Sequence, residues 1–558
     1  MTNTKNRLKT LFYSPACRAE EREKTAKNLN GLIGGQYKAL KKNYDVILFA
    51  CGVIAAMAVR YLCRNYKSGD FIIYLEPWVD FYRNNGGWHG LKEGIGNYNV
   101  LYQYILIVIS YFNINCLYLI KLVSILFDVI LAFGCTSCLK ILGADKRKRR
   151  LCFLCILLLP TVFINSAFWA QCDSIYVAFI VWSVYFLLSG KNARSISFLA
   201  IAFSFKLQTV FIMPLFLIAF LNRQLQFRQL LMFPVVFFAV YIPALIFGKP
   251  LSELLYIYVG QTTEYPFIVM NAPTALSLLR VNTSNQAVGR IFVVLAGIFA
   301  LAAVALACKK KLYPEQTLKL ALLFSIGIPF LLPYMHDRYF YTAEILSVIC
   351  VFAYGKKFIP VMAATELASL ACYMQHFGFI NQYAGKIMSY VCSNSAAAVL
   401  MMLALVLTLL YFHPTAGAKY YTVGISAAMI STAIIISAAS GYGTNVTIDG
   451  KLINFIGVSP YREQTVFMIP LRAFINAWGG TVSYDDETGQ IKMQRDSTII
   501  ELDTDSNTAL RNGQTLEIER LCVLNDISYL SHNDITNLTG LHCRAGKNTV
   551  AFSDALSG

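Results

Sequence analysis

Three carboxylates, Asp70, Glu76 and Asp80, stand in the stretch SGDFIIYLEPWVDFY (68–82), directly after the first long apolar run. An acid at the mouth of an apolar segment can take the proton of an attacking hydroxyl. Asp70 is the first of the three after that run. Glu76 and Asp80, spaced i, i+4 beside Trp78 on an amphipathic stretch, read as structural or acceptor-facing. Further along, Lys121, Ser124 and Asp128 share one helix face, which an internal ion pair or packing polarity would also explain. FWAQCD (168–173) offers Trp169, Gln171 and Asp173, with an interfacial anchor as the plainer account of Trp169. FKLQ (205–208) offers Lys206 and Gln208. PYMHDRYFY (333–341) offers His336, Asp337 and Arg338, where a surface salt bridge would be the plainer account of the last two. Tyr98 and Asn99 precede a short apolar run at 100–112.

The elements that must position these groups follow from composition. Over 558 residues, 56% are hydrophobic and 14% charged, which describes a polytopic, all-α membrane protein and excludes a water-soluble globule. The net charge of +17 does not point to nucleic acid, because the basic residues fall in short clusters between apolar runs and carry no nucleic-acid-binding pattern. Residues 1–44 form a basic segment expected in the cytosol, and 45–440 the membrane region. Runs at 45–62, 116–142, 151–168 and 174–189 then place the loops ADKRKRR (144–150) and GKNAR (190–194) in the cytosol. The run at 100–112 is too short to cross a core ~30 Å thick, so 63–115 becomes one large external loop. The stretch 195–221, with basic loops on both sides, must go up and return, with a broken junction around Lys206 and Gln208. Further spans near 230–248, 291–308, 318–334, 340–354, 358–374, 396–412 and 421–439 bring the expectation to about thirteen crossings in a plasma membrane. All the polar candidates then fall on the external side, around one outward cavity.

Cys135, Cys138, Cys152 and Cys155 have the spacing of a zinc site, but they lie in or at the edge of apolar runs, and cations crowd the loop between. They read as small hydrophobes. No metal or other cofactor is expected. From about residue 445 the chain changes to short alternating strands with turn pairs at Asp449-Gly450, Thr488-Gly489 and Asn512-Gly513, a small α+β domain (441–558) expected outside the cytosol. ISYLSHNDITNLTG (527–540) echoes VFMIPLRAFINAWGG (466–480) as a degenerate second copy, and Cys522 and Cys543 leave a pairing open. The stretch MIPLRAFINAWGGTVSYDDETGQI resembles the copper amine oxidase N-terminal-like, or stalk, repeat. That resemblance implies an external accessory module, with contact to wall polymer as one role, and does not imply copper.

In the membrane region the order SGDFIIYLEPWVDF, GNYNVLYQY, IKLVSILFDVIL, FWAQCDS, FSFKLQTVF, NAPTALSLL, LPYMHDRYFY resembles GT-C glycosyltransferases, nearest to bacterial relatives of the GPI-anchor mannosyltransferases, over about residues 45–410. The resemblance implies a GT-C fold, a sugar donor on polyprenyl phosphate, and a lipid-linked or envelope glycan acceptor reached from outside. It implies metal-independent catalysis, with Asp70 as base in an inverting displacement. Lys206, Arg338 and His336 would face the donor phosphate. Trp169, Gln171, Asp173, Tyr98, Asn99, Gln208, Asp337 and Lys121 would line the substrate site. YNVLY replaces the Tyr-Pro-Pro of many relatives, and HDR their His-Glu-Arg or His-Glu-Lys, which leaves donor preference open. The rivals are a lipid-linked glycan transporter, which predicts an internal repeat of spans that the sequence lacks, and a membrane scaffold for the tail.

Overall fold

The structure is a computed structural model that describes residues 44–93, 95–263, 268–279, 286–308, 312–377, 393–412 and most of 445–554. The expected span at 421–439, the turn at 488–489 and the segment 1–43 lie outside the described residues.

Helix α1 (Tyr44–Leu62) leads into a π-turn at Phe71–Leu75, α2 (Glu76–Asn84) and α3 (Val100–Ser110). Then come α4 (Cys116–Ile141), α5 (Lys146–Leu158), α6 (Pro160–Phe168), α7 (Asp173–Leu188), α8 (Asn192–Phe205) and α9 (Met213–Leu221). The membrane region continues with α10 (Phe227–Ile246), α11 (Leu251–Thr263), α12 (Ala275–Leu279), α13 (Gln286–Ala307) and α14 (Pro314–Leu331). It ends with α15 (Tyr341–Tyr354), α16 (Ile359–His376) and α17 (Asn394–Phe412).

Among the described residues five helices are long and apolar enough to cross a membrane, or six if α5 and α6 form one bent span. The expectation of thirteen is not reached on that measure, because several of the runs form shorter helices. Helix α7, at 16 residues, rises only about 24 Å. The run at 151–168 is not one straight span but bends by 50° between α5 and α6. Pro160 ends the i→i−4 ladder there. The freed Thr161 amide and its hydroxyl donate to the Glu366 carboxylate of α16 at 3.0 and 2.8 Å. The basic cluster 146–150 is no loop either, because Asp145 caps α5 through the Lys148 amide at 2.8 Å and the cluster forms its first turns.

Buried charge ties the elements together. Arg60 near the end of α1 donates from Nε and Nη2 to Asp128 of α4 at 3.1 and 2.8 Å, and from Nη1 to the Leu157 carbonyl at 2.8 Å. Ser166 of α6 donates to the same carboxylate at 2.6 Å. One acid thus joins α1, α4 and α6, with the Arg60 and Ser166 contacts all on its Oδ2. Lys121 does not pair with Asp128; its Nζ donates to the Cys63, Arg64 and Tyr66 carbonyls at 2.9, 3.3 and 2.7 Å, closing the end of α1.

The tail is a separate β-rich core. Its sheets run β12-β13-β1-β2, β10-β11-β4-β3 and β5-β6-β7-β8-β9. The strands are β1 (Asn445–Ile448), β2 (Lys451–Leu452), β3 (Tyr461–Glu463), β4 (Val466–Pro470), β5 (Thr481–Asp485), β6 (Gln490–Arg495) and β7 (Thr498–Asp503). They continue with β8 (Thr508–Arg511), β9 (Gln514–Glu517), β10 (Leu521–Leu524), β11 (Ile527–Ser531), β12 (His542–Ala545) and β13 (Thr549–Ser553). The turn pairs at 449–450 and 512–513 have both residues at positive φ, as two-residue hairpins of this twist require. The echoed segments adopt one pattern. Strand β4 feeds α18 (Leu471–Ala477), β11 feeds α19 (His532–Thr539), and the two strands pair antiparallel through Ile469 and Leu530. Cys522 and Cys543 are free thiols on strands of different sheets, so the open pairing is not made.

Candidate active site

Asp70 lies at the entry to the π-turn after α1. Its Oδ2 accepts from Trp169 Nε1 at 3.0 Å and from Gln171 Nε2 at 2.6 Å, and faces Arg338 Nη1 at 3.6 Å. All three contacts fall on that one oxygen, and the side chain is 26% exposed. Oδ1 has no partner among the described residues and is the oxygen open to a proton.

A backbone device brings two donors to one acceptor. Ala170, between Trp169 and Gln171, has φ 65°, a left-handed conformation that an alanine seldom adopts. The reversal lets both flanking side chains address Asp70. The Gln171 amide returns to the Asn165 carbonyl at 2.8 Å, and Ser68 Oγ donates to the Trp169 carbonyl at 2.7 Å, binding the loop to the segment that carries Asp70.

Beneath Asp70 sits Asp173, fully buried in the first turn of α7, where the helix N-terminus favours an anion. It receives Lys206 Nζ at 2.5 Å, Asn165 Nδ2 at 2.9 Å and Arg338 Nε at 3.6 Å. Lys206 reaches it because α8 stops at Phe205 and Lys206 itself is extended (φ −148°, ψ 137°), before a 3-10 turn at Leu207–Ile212. The expected break in 195–221 is therefore present. Arg338 bridges both acids and stands 5.3 Å over the Trp169 ring, while Lys206 lies 5.4 Å from the Tyr98 ring and 5.8 Å from that of Tyr176. Tyr98 closes the group by donating to Gln171 Oε1 at 3.4 Å.

The expected residues divide accordingly. Asp70, Tyr98, Trp169, Gln171, Asp173, Lys206 and Arg338 meet in one cluster, although they are scattered from position 70 to position 338. His336 is next to it, within electrostatic range of Arg338, Asp337, Asp70 and His376. Asp337 and Arg338 do not pair through their side chains. Asp337 faces His376 Nδ1 at 3.3 Å and accepts from Asn271 Nδ2 at 3.1 Å.

Three expected residues are elsewhere. Asn99 caps α3, accepting from the Val100 amide at 2.6 Å and donating to the Tyr241 and Tyr258 hydroxyls at 3.1 and 2.6 Å. Its polar atoms are consumed by packing. Gln208 makes no hydrogen bond to the cluster among the described residues, and Lys121 is spent on the carbonyls at the end of α1.

Sequence reasoning passed over Asn165, Asn271, Tyr176 and His376. Asn165 and Tyr176 lie in apolar runs with no polar spacing to mark them. His376, a lone histidine at the end of α16, offered a signal only through its place after an apolar run.

The arrangement supplies a carboxylate oxygen open to a proton beside two cations already compensated by a buried acid. The residues 447–549 match the family model described as copper amine oxidase N-terminal domain. No curated protein matches the chain.

Proposed function

We propose that the membrane region transfers a sugar from a polyprenyl-phosphate donor to an extracytoplasmic acceptor, with inversion at the anomeric carbon and Asp70 as general base. The observation that carries this reading is the division of labour at Asp70: Oδ2 is held by Trp169, Gln171 and Arg338, and Oδ1 is left open. A base fixed through one oxygen keeps the other aimed at an incoming hydroxyl.

As the hydroxyl oxygen bonds to the anomeric carbon, its proton passes to Oδ1, and the electron pair of the departing C–O bond stays on phosphate. Arg338 is the cation best placed for that phosphate, since it already spans Asp70 and Asp173 at 3.6 Å each, contacts long enough to be exchanged for a closer anion. Lys206 is held at 2.5 Å by Asp173, so its contribution to phosphate is through the field rather than direct contact. Asp173 is fully buried and has three partners, which disqualifies it as a second nucleophile and favours a single displacement over a two-step, retaining one.

The mannose-like or glucose-like donor, the envelope glycan acceptor, the external placement of residues 441–558 with contact to wall polymer, and the cytosolic placement of 1–44 belong to this same proposal. Its test is a transfer assay on purified protein with a panel of polyprenyl-phosphate sugars and lipid-extract acceptors. Transfer from one donor class supports the reading. Movement of a labelled lipid-linked glycan across vesicles without any new glycosidic bond would favour the transporter instead.

A further inference from the structure

His376, at the end of α16, reaches the site by a route that the expected motifs did not cover. Its Nδ1 lies 3.3 Å from Asp337 Oδ2. That carboxylate is 2% exposed, and its other contacts are Asn271 Nδ2 at 3.1 Å and the Arg338 amide at 3.0 Å. A carboxylate held in this way fixes the proton on Nδ1 and leaves Nε2 to face a ligand. The ring is one-third exposed (33%) and lies 4.2 Å from that of Trp169, the residue that donates to Asp70 and over which Arg338 stands. The charged and titratable groups around it are Asp337 and His336 from the loop after α14, and Arg338 and Tyr373 approach it through the Trp169 ring that all three share.

We propose that His376 is a further phosphate ligand of this site, binding the departing polyprenyl phosphate through Nε2–H as an imidazolium. The inference rests on the donor class proposed above. The donor is a phosphodiester with one negative charge. When its C–O bond to the sugar breaks, the electron pair remains on phosphate and a monoester with a second charge is left. Lys206 is committed to Asp173, and Arg338 is shared by two carboxylates. The second charge therefore needs another cation, and protonated His376 meets it late in the reaction, where stabilisation counts toward rate.

The test measures binding of two soluble probes, farnesyl phosphate and its methyl diester, to the full chain in detergent at about pH 7, where the monoester carries most of its second charge. His376→Gln is expected to weaken the monoester about tenfold, the loss of one charge-assisted hydrogen bond, and to leave the diester nearly unchanged. Unchanged diester binding also certifies the fold. Asp337→Asn should shift the monoester in the same direction. Equal loss of both probes, or of neither, in His376→Gln overturns the assignment. If wild type binds both probes through Arg338 while His376→Gln is unaffected, the phosphate ligand falls and the donor class stands. If wild type binds neither, both fall.

Discussion

Asp173 sets the electrostatics of the cluster, because it pairs with both Lys206 and Arg338 and is itself wholly buried. Asp173→Asn leaves two buried cations with one compensating carboxylate, Asp70. Removing one partner of a buried pair costs about 3–5 kcal/mol. A marked fall in thermal unfolding temperature in detergent is expected, with part of it recovered in Asp173→Asn/Lys206→Met, where no charge is left unpaired. Equal stability of wild type and Asp173→Asn would contradict the structural role given to this acid. Arg338→Ala acts differently, since Arg338 is the cation proposed to meet phosphate in both ground and transition states. It should raise the donor KM and lower kcat together, and a change in kcat alone would move phosphate binding elsewhere.

At the scale of elements, the site depends on places where regular structure stops: the π-turn at Phe71–Leu75, the left-handed Ala170, the bend at Pro160 and the extended Lys206. Ala170 gives a direct test. Glycine adopts φ 65° without penalty, so Ala170→Gly should be neutral or stabilising by up to about 1 kcal/mol, while the β-branched Ala170→Val should lower stability and activity together. Tolerance of valine would mean that the turn does not fix the donors to Asp70. Much of this was legible in the sequence. The charge pattern on both sides of 195–221 required a reversal, and the structure breaks the helix at Lys206. Asp70, Trp169, Gln171, Asp173 and Arg338 stood out because ionisable or aromatic groups at the ends of apolar runs are costly unless they meet. The pairing was not legible. Lys121 and Asp128 share a helix face, yet Asp128 takes Arg60 from α1, and no spacing within one helix can report a partner on another. Asn99 misled for a related reason: an asparagine before an apolar run is first of all a helix cap. The expected number of spans exceeds the five helices, or six with the bent pair, that are long and apolar enough to cross among the described residues, because hydropathy does not distinguish a crossing helix from a shorter apolar one.

At the scale of the whole molecule, the candidate groups all precede residue 377, and the tail has its own core around residues such as Phe467, Phe474, Leu530 and Phe552. A chain truncated after about residue 440 should keep transfer activity in detergent, and its complete loss in a truncated protein that still inserts would bring the tail into the chemistry. The proposed orientation requires a reporter cysteine at Lys148 to be shielded in intact cells and one at Gly513 to react; the reverse pattern would invert the arrangement. The central claim is that Asp70 takes the acceptor proton, and its most direct measurement is turnover by Asp70→Asn beside donor binding by the same protein. Asparagine keeps the size and much of the hydrogen bonding to Trp169 and Gln171 but cannot accept the proton, so donor affinity should persist while kcat falls by about 10² to 10⁴. Asp80→Asn, whose carboxylate is paired with Arg83 at 2.5 Å on the solvent-facing side of α2, serves as control and should turn over normally. Near-normal turnover by Asp70→Asn, with Asp80→Asn inactive at equal abundance, would contradict the account.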